Sequence, residues 1–432
     1  MKKNLLLGLV VVFLVVMAMP HLSQAVPSFA RQVQKPCTAC HTIWPNLNQA
    51  GRQFKVKAYT DVSEKWDMIN KDNMNLTTVF PFSARAIFFP EVNDTGATPT
   101  SSTELDSVAL FVASRVYDYA GVFGSAEFSP DDNSFGLPTV KLAFQYPLGE
   151  GNTIGLVVFK GLSSAADPFN ALGGRDRSLT WGDESRPLIL TSGWTFDFSS
   201  EGNVGTVAHG YFFGNRLYAA VGALRGGLSS DAGGPGGALS NTEGNVSDSD
   251  PYDLIARIAW DQKLPNGAVT VGAAYYGGSQ RIISSPVTTS LNFPFNGNVK
   301  RNYIDVSLEQ NIGEEHLIEI QALYGMGEDD NVFDGGEQRK FDGQYVEASY
   351  FYDRKVGVVL ATNNIKFKNV DAADVTGRQD KIDSWLASIN FLPWLNTKIA
   401  VQYVNTKTTF VDPDVEPSVT DKITRVVLDM VF

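Results

Sequence analysis

From about Leu76 to Phe432 the chain repeats one pattern. Segments of about ten residues alternate apolar or aromatic side chains with small or polar ones. A period of two puts successive side chains on opposite faces of a strand, so each segment reads as a strand with one apolar face. In residues 252–262, Leu254, Ala256, Ile258 and Trp260 oppose Asp253, Arg257 and Asp261. In 300–310, Ile304, Val306 and Leu308 oppose Arg301, Asp305, Ser307 and Glu309. In 341–353, Val346, Ala348, Tyr350 and Tyr352 oppose Glu347 and Ser349, and in 423–432, Val426, Leu428, Met430 and Phe432 oppose Arg425, Asp429 and two valines. A soluble sandwich also alternates. Here the apolar face recurs on nearly every segment and carries Tyr, Trp and Phe near strand ends. That pattern predicts a closed barrel with a lipid-facing exterior, aromatic girdles and a polar interior.

The connections give an independent test. Short turns fall at Tyr119-Ala120, 149–152, Gly214-Asn215, 264–267, Gly313-Glu314, Arg354 and 393–395. Long polar connections fall at about 90–106, 130–138, 161–202, 227–250, 278–299, 326–340, 367–380 and 406–420, alternating with the short ones. Outer-membrane barrels have this asymmetry, with short turns in the periplasm and long loops outside. Seven turns and eight loops predict about sixteen antiparallel strands with both barrel ends in the periplasm. Residues 187–198 are apolar enough for a strand, but counting them breaks the parity. We assign 161–202 to one loop; an extra hairpin there makes the count eighteen. The terminal Phe432, with apolar residues two, four and six positions before it, resembles the assembly signal of such barrels.

The chain start addresses the protein to that compartment. Lys2 and Lys3, an apolar run from Leu5 to Met19, Pro20 and Ser23-Gln24-Ala25 form a secretory signal over residues 1–25, cleaved after Ala25. The run is shorter than the roughly 20 residues of a spanning helix. Lys+Arg is 35 and Asp+Glu 47, a net charge of −12, which becomes −14 once Lys2 and Lys3 leave. Such an acidic chain is unsuited to nucleic acid, whose phosphates demand clustered Lys and Arg.

Residues 26–76 differ in texture from the rest. They hold both cysteines, in Cys37-Thr38-Ala39-Cys40-His41. The C-x-x-C-H spacing lets two thiols add to the two haem vinyl groups while the adjacent His reaches the iron. Covalent tethers suit a unit of this size, which buries little core of its own. A thiol–disulfide motif would open a helix in a thioredoxin-like unit, and none follows. A zinc site needs about four ligands, and the only histidines are His21, His41, His209 and His316. The reading is one covalent haem c, bound through Cys37 and Cys40 with His41 as the proximal iron ligand. Trp44, Leu47, Phe54 and Tyr59 are candidates to pack on the haem or in an ordinary core. Met68 and Met74 are the thioethers available as a distal ligand; His209, flanked by Val207, Gly210 and Tyr211, has an ambiguous face. His316, in line with Ile318 and Ile320, reads as interfacial. Glu328, Asp329, Asp330, Asp334 and Glu337 in one loop, with Asp248, Asp250, Asp412, Asp414 and Glu416 in others, are solvated loop residues or a negative mouth that concentrates cations.

Pro27-Ser28-Phe29-Ala30-Arg31-Gln32, then Cys37 to His41, Pro45, Leu47, Gly51-Arg52-Gln53-Phe54-Lys55 and Tyr59 resemble the N-terminal signature of the fused monohaem c-type cytochrome–porins of the outer membrane, best known from iron-oxidising bacteria. The resemblance covers roughly residues 27–59; one departure is Lys57-Ala58 before Tyr59, where the pattern places an apolar residue and then Gly. The resemblance implies a small helical haem domain (26–76) ahead of a porin-like barrel (77–432). It also implies electron transfer across the outer membrane, from extracellular Fe(II) or another donor to a periplasmic cytochrome or other carrier. Two other readings compete with this conduit: a diffusion porin with a haem plug or redox-sensor domain, and a peroxidase-like haem enzyme with an open distal position.

Overall fold

A computed structural model describes residues 28–60, 68–71, 74–77, 81–94, 99–130, 134–160, 204–225, 252–282, 295–330, 339–368, 379–394, 396–410 and 418–431. Residues 1–27, the expected signal among them, residues 161–203 and Phe432 lie outside them. Two helices, α1 (Ser28–Val33) and α2 (Gln49–Val56), precede a hairpin of β1 (Met68–Lys71) and β2 (Met74–Thr77). Sixteen strands follow among the described residues, from β3 (Phe82–Asp94) to β18 (Val419–Val431). Each pairs antiparallel with the next, and β18 pairs back onto β3, so the sheet closes and leaves no edge.

Short and long connections alternate as the sequence predicts. At the tight end, Gly214 and Asn215 take φ of 67° and 62°, the left-handed conformation that Gly and Asn adopt most readily. The strands β7 (Asn152–Lys160) and β8 (Val204–Phe212) pair directly, with Lys160 opposite Val204, so the count is sixteen with nothing inserted between them.

The strands are longer than expected. β4 (Thr100–Tyr117) and β12 (Phe295–Ile312) run to 18 residues each, into stretches that read as loop. Above the membrane both faces of a strand meet water, so alternation fades while backbone pairing continues. Lys300 still faces Glu328 across the ladder to β13 (His316–Asp330).

The faces follow the alternation. On β10 (Asp253–Leu264), Leu254, Ile258 and Trp260 point outward while Asp253, Arg257 and Asp261 are buried inside. At the short-turn end, outward rings pair up as a girdle, Tyr119 with Tyr146 at 5.9 Å and Phe213 with Trp260 at 6.5 Å. His316 belongs to that girdle: it stacks on Tyr350, and its Nδ1 lies 2.7 Å from the phenol oxygen.

The interior departs from the expected uniform polarity. Phe159, Ile255, Tyr276, Phe341, Ile365, Phe367, Leu386 and Val404 all face inward and form one buried apolar cluster. On β15 (Val356–Lys368) the run Val358-Val359-Leu360-Ala361 is apolar on both faces, so alternation carries no mark of polarity there.

Candidate functional site

The site begins as a short turn. Cys37–Ala39 forms a single 3-10 turn, and the His41 amide donates to the Cys37 carbonyl at 2.8 Å. That places both sulfurs and the imidazole on one turn of chain. The two thiols are free, half-buried and not bonded to each other. Burial pushes both up from the ordinary thiol range, opposite to the lowered value that makes a redox-active thiol pair reactive.

The imidazole is oriented. His41 Nδ1 lies 3.1 Å from the Pro45 carbonyl oxygen. A carbonyl only accepts, so Nδ1 carries the proton and Nε2 keeps the lone pair. A hydrogen bond of this kind fixes the tautomer of a metal-ligating histidine.

Asn48 ties this turn to α2. Its Oδ1 accepts from the Gly51 amide at 2.9 Å as the helix N-cap, while Nδ2 reaches the Thr38 and Ala39 carbonyls, both at 3.2 Å. Gly51 has no room for a side chain, since a Cβ there would run into the Cys40 carbonyl and lie 2.9 Å from Leu47 Cδ2. Phe29, Phe54 and Tyr59 supply the unit's small core. Phe29 stacks on Tyr59 at 4.6 Å and meets Phe54 edge-on at 5.2 Å. Ala58 takes φ of 54°, the conformation that favours glycine.

The unit is lodged inside the barrel at its short-turn end. Residues 28–60 carry Arg31, Lys35, Arg52, Lys55 and Lys57 and no Asp or Glu, in a chain of net charge −12. Inward-facing carboxylates receive them. Arg52 bonds Asp261 at 2.9 Å, and Glu309 lies 3.4 Å away. Burial opposes the Arg52 charge, but Asp261 and Glu309 more than offset it and hold the guanidinium above its ordinary value. Asp261 also accepts from the Tyr211 and Thr270 hydroxyls, each at 3.0 Å.

Other anchors run round the wall. Gln32 donates to the Ala113 carbonyl on β4 at 2.7 Å. Thr42 and Asn46 donate to Glu319 on β13. Ile43 packs against Leu317, Phe351, Val359 and Leu392, and the Arg85 guanidinium stands over Trp44 at 5.8 Å. On β5 (Ala120–Ser129), Gly121 approaches so closely that a Cβ would meet the Ala58 carbonyl. Nearly every sector of the wall therefore touches the unit.

The remaining candidates fall elsewhere. His209 faces inward with Val207 and Tyr211, but its Nε2 donates to the Val56 carbonyl at 3.0 Å, capping the end of α2. Met68 and Met74 lie on the β1–β2 hairpin, where Met68 pairs with Thr77 and Met74 with Lys71. Among the described residues, no group of three or more His, Cys, Asp or Glu is placed to hold a metal ion. Asp248, Asp250, Asp334, Glu337, Asp412, Asp414 and Glu416 lie outside the described residues.

The fold defines the class: an outer-membrane β-barrel of porin type. No family model matches the chain, and neither does any curated protein sequence. Among solved structures, an anion-selective porin from Comamonas acidovorans matches 81% of this chain and 98% of its own, with a TM-score of 0.52 and 13% identity. The outer membrane channel DcaP of Acinetobacter baumannii matches 81% of this chain and 97% of its own, with a TM-score of 0.50 and 13% identity. OprB of Pseudomonas putida matches 81% and 94% respectively, with a TM-score of 0.50 and 8% identity. At these identities the likeness is one of fold.

Proposed function

We propose that the protein is an outer-membrane electron-transfer porin, a cytochrome–porin fusion. Cys37 and Cys40 attach one haem c, and His41 Nε2 is its proximal ligand. The observation that carries the reading is the C-x-x-C-H turn, its histidine oriented by Pro45, on a unit wedged into the barrel mouth. The donor set fits the group: two unpaired thiols one turn apart and an imidazole whose remaining nitrogen is the iron-binding one. A bound haem supplies a one-electron Fe(III)/Fe(II) couple; the protein supplies position and electrostatics.

The short-turn end of such barrels faces the periplasm. A haem there is within reach of a periplasmic cytochrome or other carrier. A single haem cannot span a hydrocarbon core of roughly 30 Å by itself, so the donor comes to it from the outer side. Extracellular Fe(II) is the donor the family resemblance favours: each Fe(II) would give one electron and leave as Fe(III). The second reading, a diffusion porin with a haem plug or sensor, shares this architecture and differs in what passes through the lumen.

Anaerobic addition of Fe(II) to the detergent-solubilised protein, followed in the visible spectrum, tests the proposal. Rapid appearance of reduced c-type bands supports it. A haem reduced by dithionite but not by Fe(II) overturns iron as donor, and absence of haem overturns the whole reading. Large single-channel conductance by the haem-loaded protein would favour the diffusion porin.

A further inference from the structure

Glu319 is an inward carboxylate on β13, buried to 6% exposure, four residues from the short turn before that strand. Its two oxygens accept from two side chains of the lodged unit, Thr42 Oγ1 on one and Asn46 Nδ2, at 3.1 Å, on the other. These donors bracket residues 43–45, and the carbonyl of Pro45, inside the bracket, orients the imidazole of His41 just before it. The Thr42 amide also donates to the Asn46 carbonyl at 3.1 Å, so the bracketed segment is a closed loop. Asp429 on β18 meets the same loop through the Trp44 side chain. Asp261 and Glu309 instead face Arg52 and Gln49 on α2.

A carboxylate needs a reason to be buried away from water. Asp261, Asp305 and Asp429 have one, since Arg52, Arg257 and Arg85 stand against them. Glu319 is paired with two neutral donors and with no Lys or Arg among the described contacts. Its neighbours in the wall include two further acids, Glu309 on β12 and Glu347 on β14 (Arg339–Tyr352).

Resting on the haem reading above, we infer that Glu319 is a positioning residue for the haem iron. It holds from the barrel wall the loop whose Pro45 carbonyl orients His41, and so steadies the imidazole that would ligate the iron. The barrel wall thus helps to orient the ligand of its own redox group.

The test uses the full-length, haem-loaded protein in detergent. Glu319→Gln keeps the size but leaves one acceptor for two donors; the inference expects unchanged haem content and a shifted midpoint potential. Thr42→Val combined with Asn46→Ala leaves the barrel sequence intact and removes both donors. That variant is expected to change the low-temperature electron paramagnetic resonance signature of the iron, because the imidazole loses its outer support. An unmoved potential in Glu319→Gln, with an unmoved iron signature in the double variant, overturns the inference while the haem reading stands. Wild-type protein without covalent haem overturns both.

Discussion

Replacing Asp261 with Ala removes the residue on which the lodged unit depends most. In the wild type, Asp261 is fully buried and accepts from Arg52 Nη2 at 2.9 Å, Arg52 Nε at 3.4 Å, Tyr211 and Thr270. The substitution leaves a guanidinium with 7% side-chain exposure without its main partner. Removing one partner of a buried ion pair costs about 3–5 kcal/mol. Glu309, 3.4 Å from Arg52, recovers part of it; we take about 3 kcal/mol as the net effect. The penalty falls only on the seated state, because an unseated Arg52 is hydrated. A loss of about 3 kcal/mol lowers the seating equilibrium by roughly 150-fold, at 1.4 kcal/mol per tenfold. Two assays read this: single-channel conductance in planar bilayers, and protease access to residues 28–60 in intact liposomes. The expected result is openings and cleavage absent from the wild type, with the barrel still heat-modifiable on gels. The double variant Arg52→Ala/Asp261→Ala should be less open than the sum of the singles, since both remove one interaction. A folded Asp261→Ala barrel as silent and as protected as the wild type would refute the account of how the unit is held.

Three further outcomes follow from the site. His41→Ala should leave the barrel assembled and abolish the normal reduced-haem spectrum; an unchanged spectrum refutes the ligand assignment. Asn48→Ala removes a helix cap and two carbonyl contacts, and should lower the stability of the unit by about 1 kcal/mol, read as earlier thermal loss of the haem circular-dichroism signal. Gly51→Ala and Gly121→Ala each drive a Cβ into a backbone carbonyl, at a cost of about 1–3 kcal/mol. Gly51→Ala should reduce haem incorporation, whereas Gly121→Ala should spare it and raise conductance, because only the second lies on the wall.

The barrel was legible because lipid imposes period two on one face of each strand, and Leu254, Ile258 and Trp260 obey it. The same rule fails where the inner face is also apolar. His209 illustrates this: Val207 and Tyr211 share its face, and two apolar neighbours gave no sign that the face was inward. The Cys37–His41 turn was legible because its residues are contiguous in the sequence. The contacts that seat it were not. Asp261 stood out as an inward acid opposite Trp260, but nothing in local sequence tells which acid will meet Arg52, 209 positions away. Glu319 and Asn48 were missed for the same reason, as their roles exist only once a helical segment and a strand wall are brought together. Asn48 alone left a trace, as a capping residue directly before α2.

The residues that fill the mouth come first in the chain, and the wall that grips them comes later. The strands meeting at the closure, β3 and β18, are the first and last of the barrel, and Trp44 of the lodged unit lies against Arg85 of β3, which bonds Asp429 of β18 at 2.8 Å. The occupant is thus synthesised before any strand exists, and the final seam is drawn shut beside it. On the haem reading proposed above, attachment to residues 37–41 would precede closure of the wall around them.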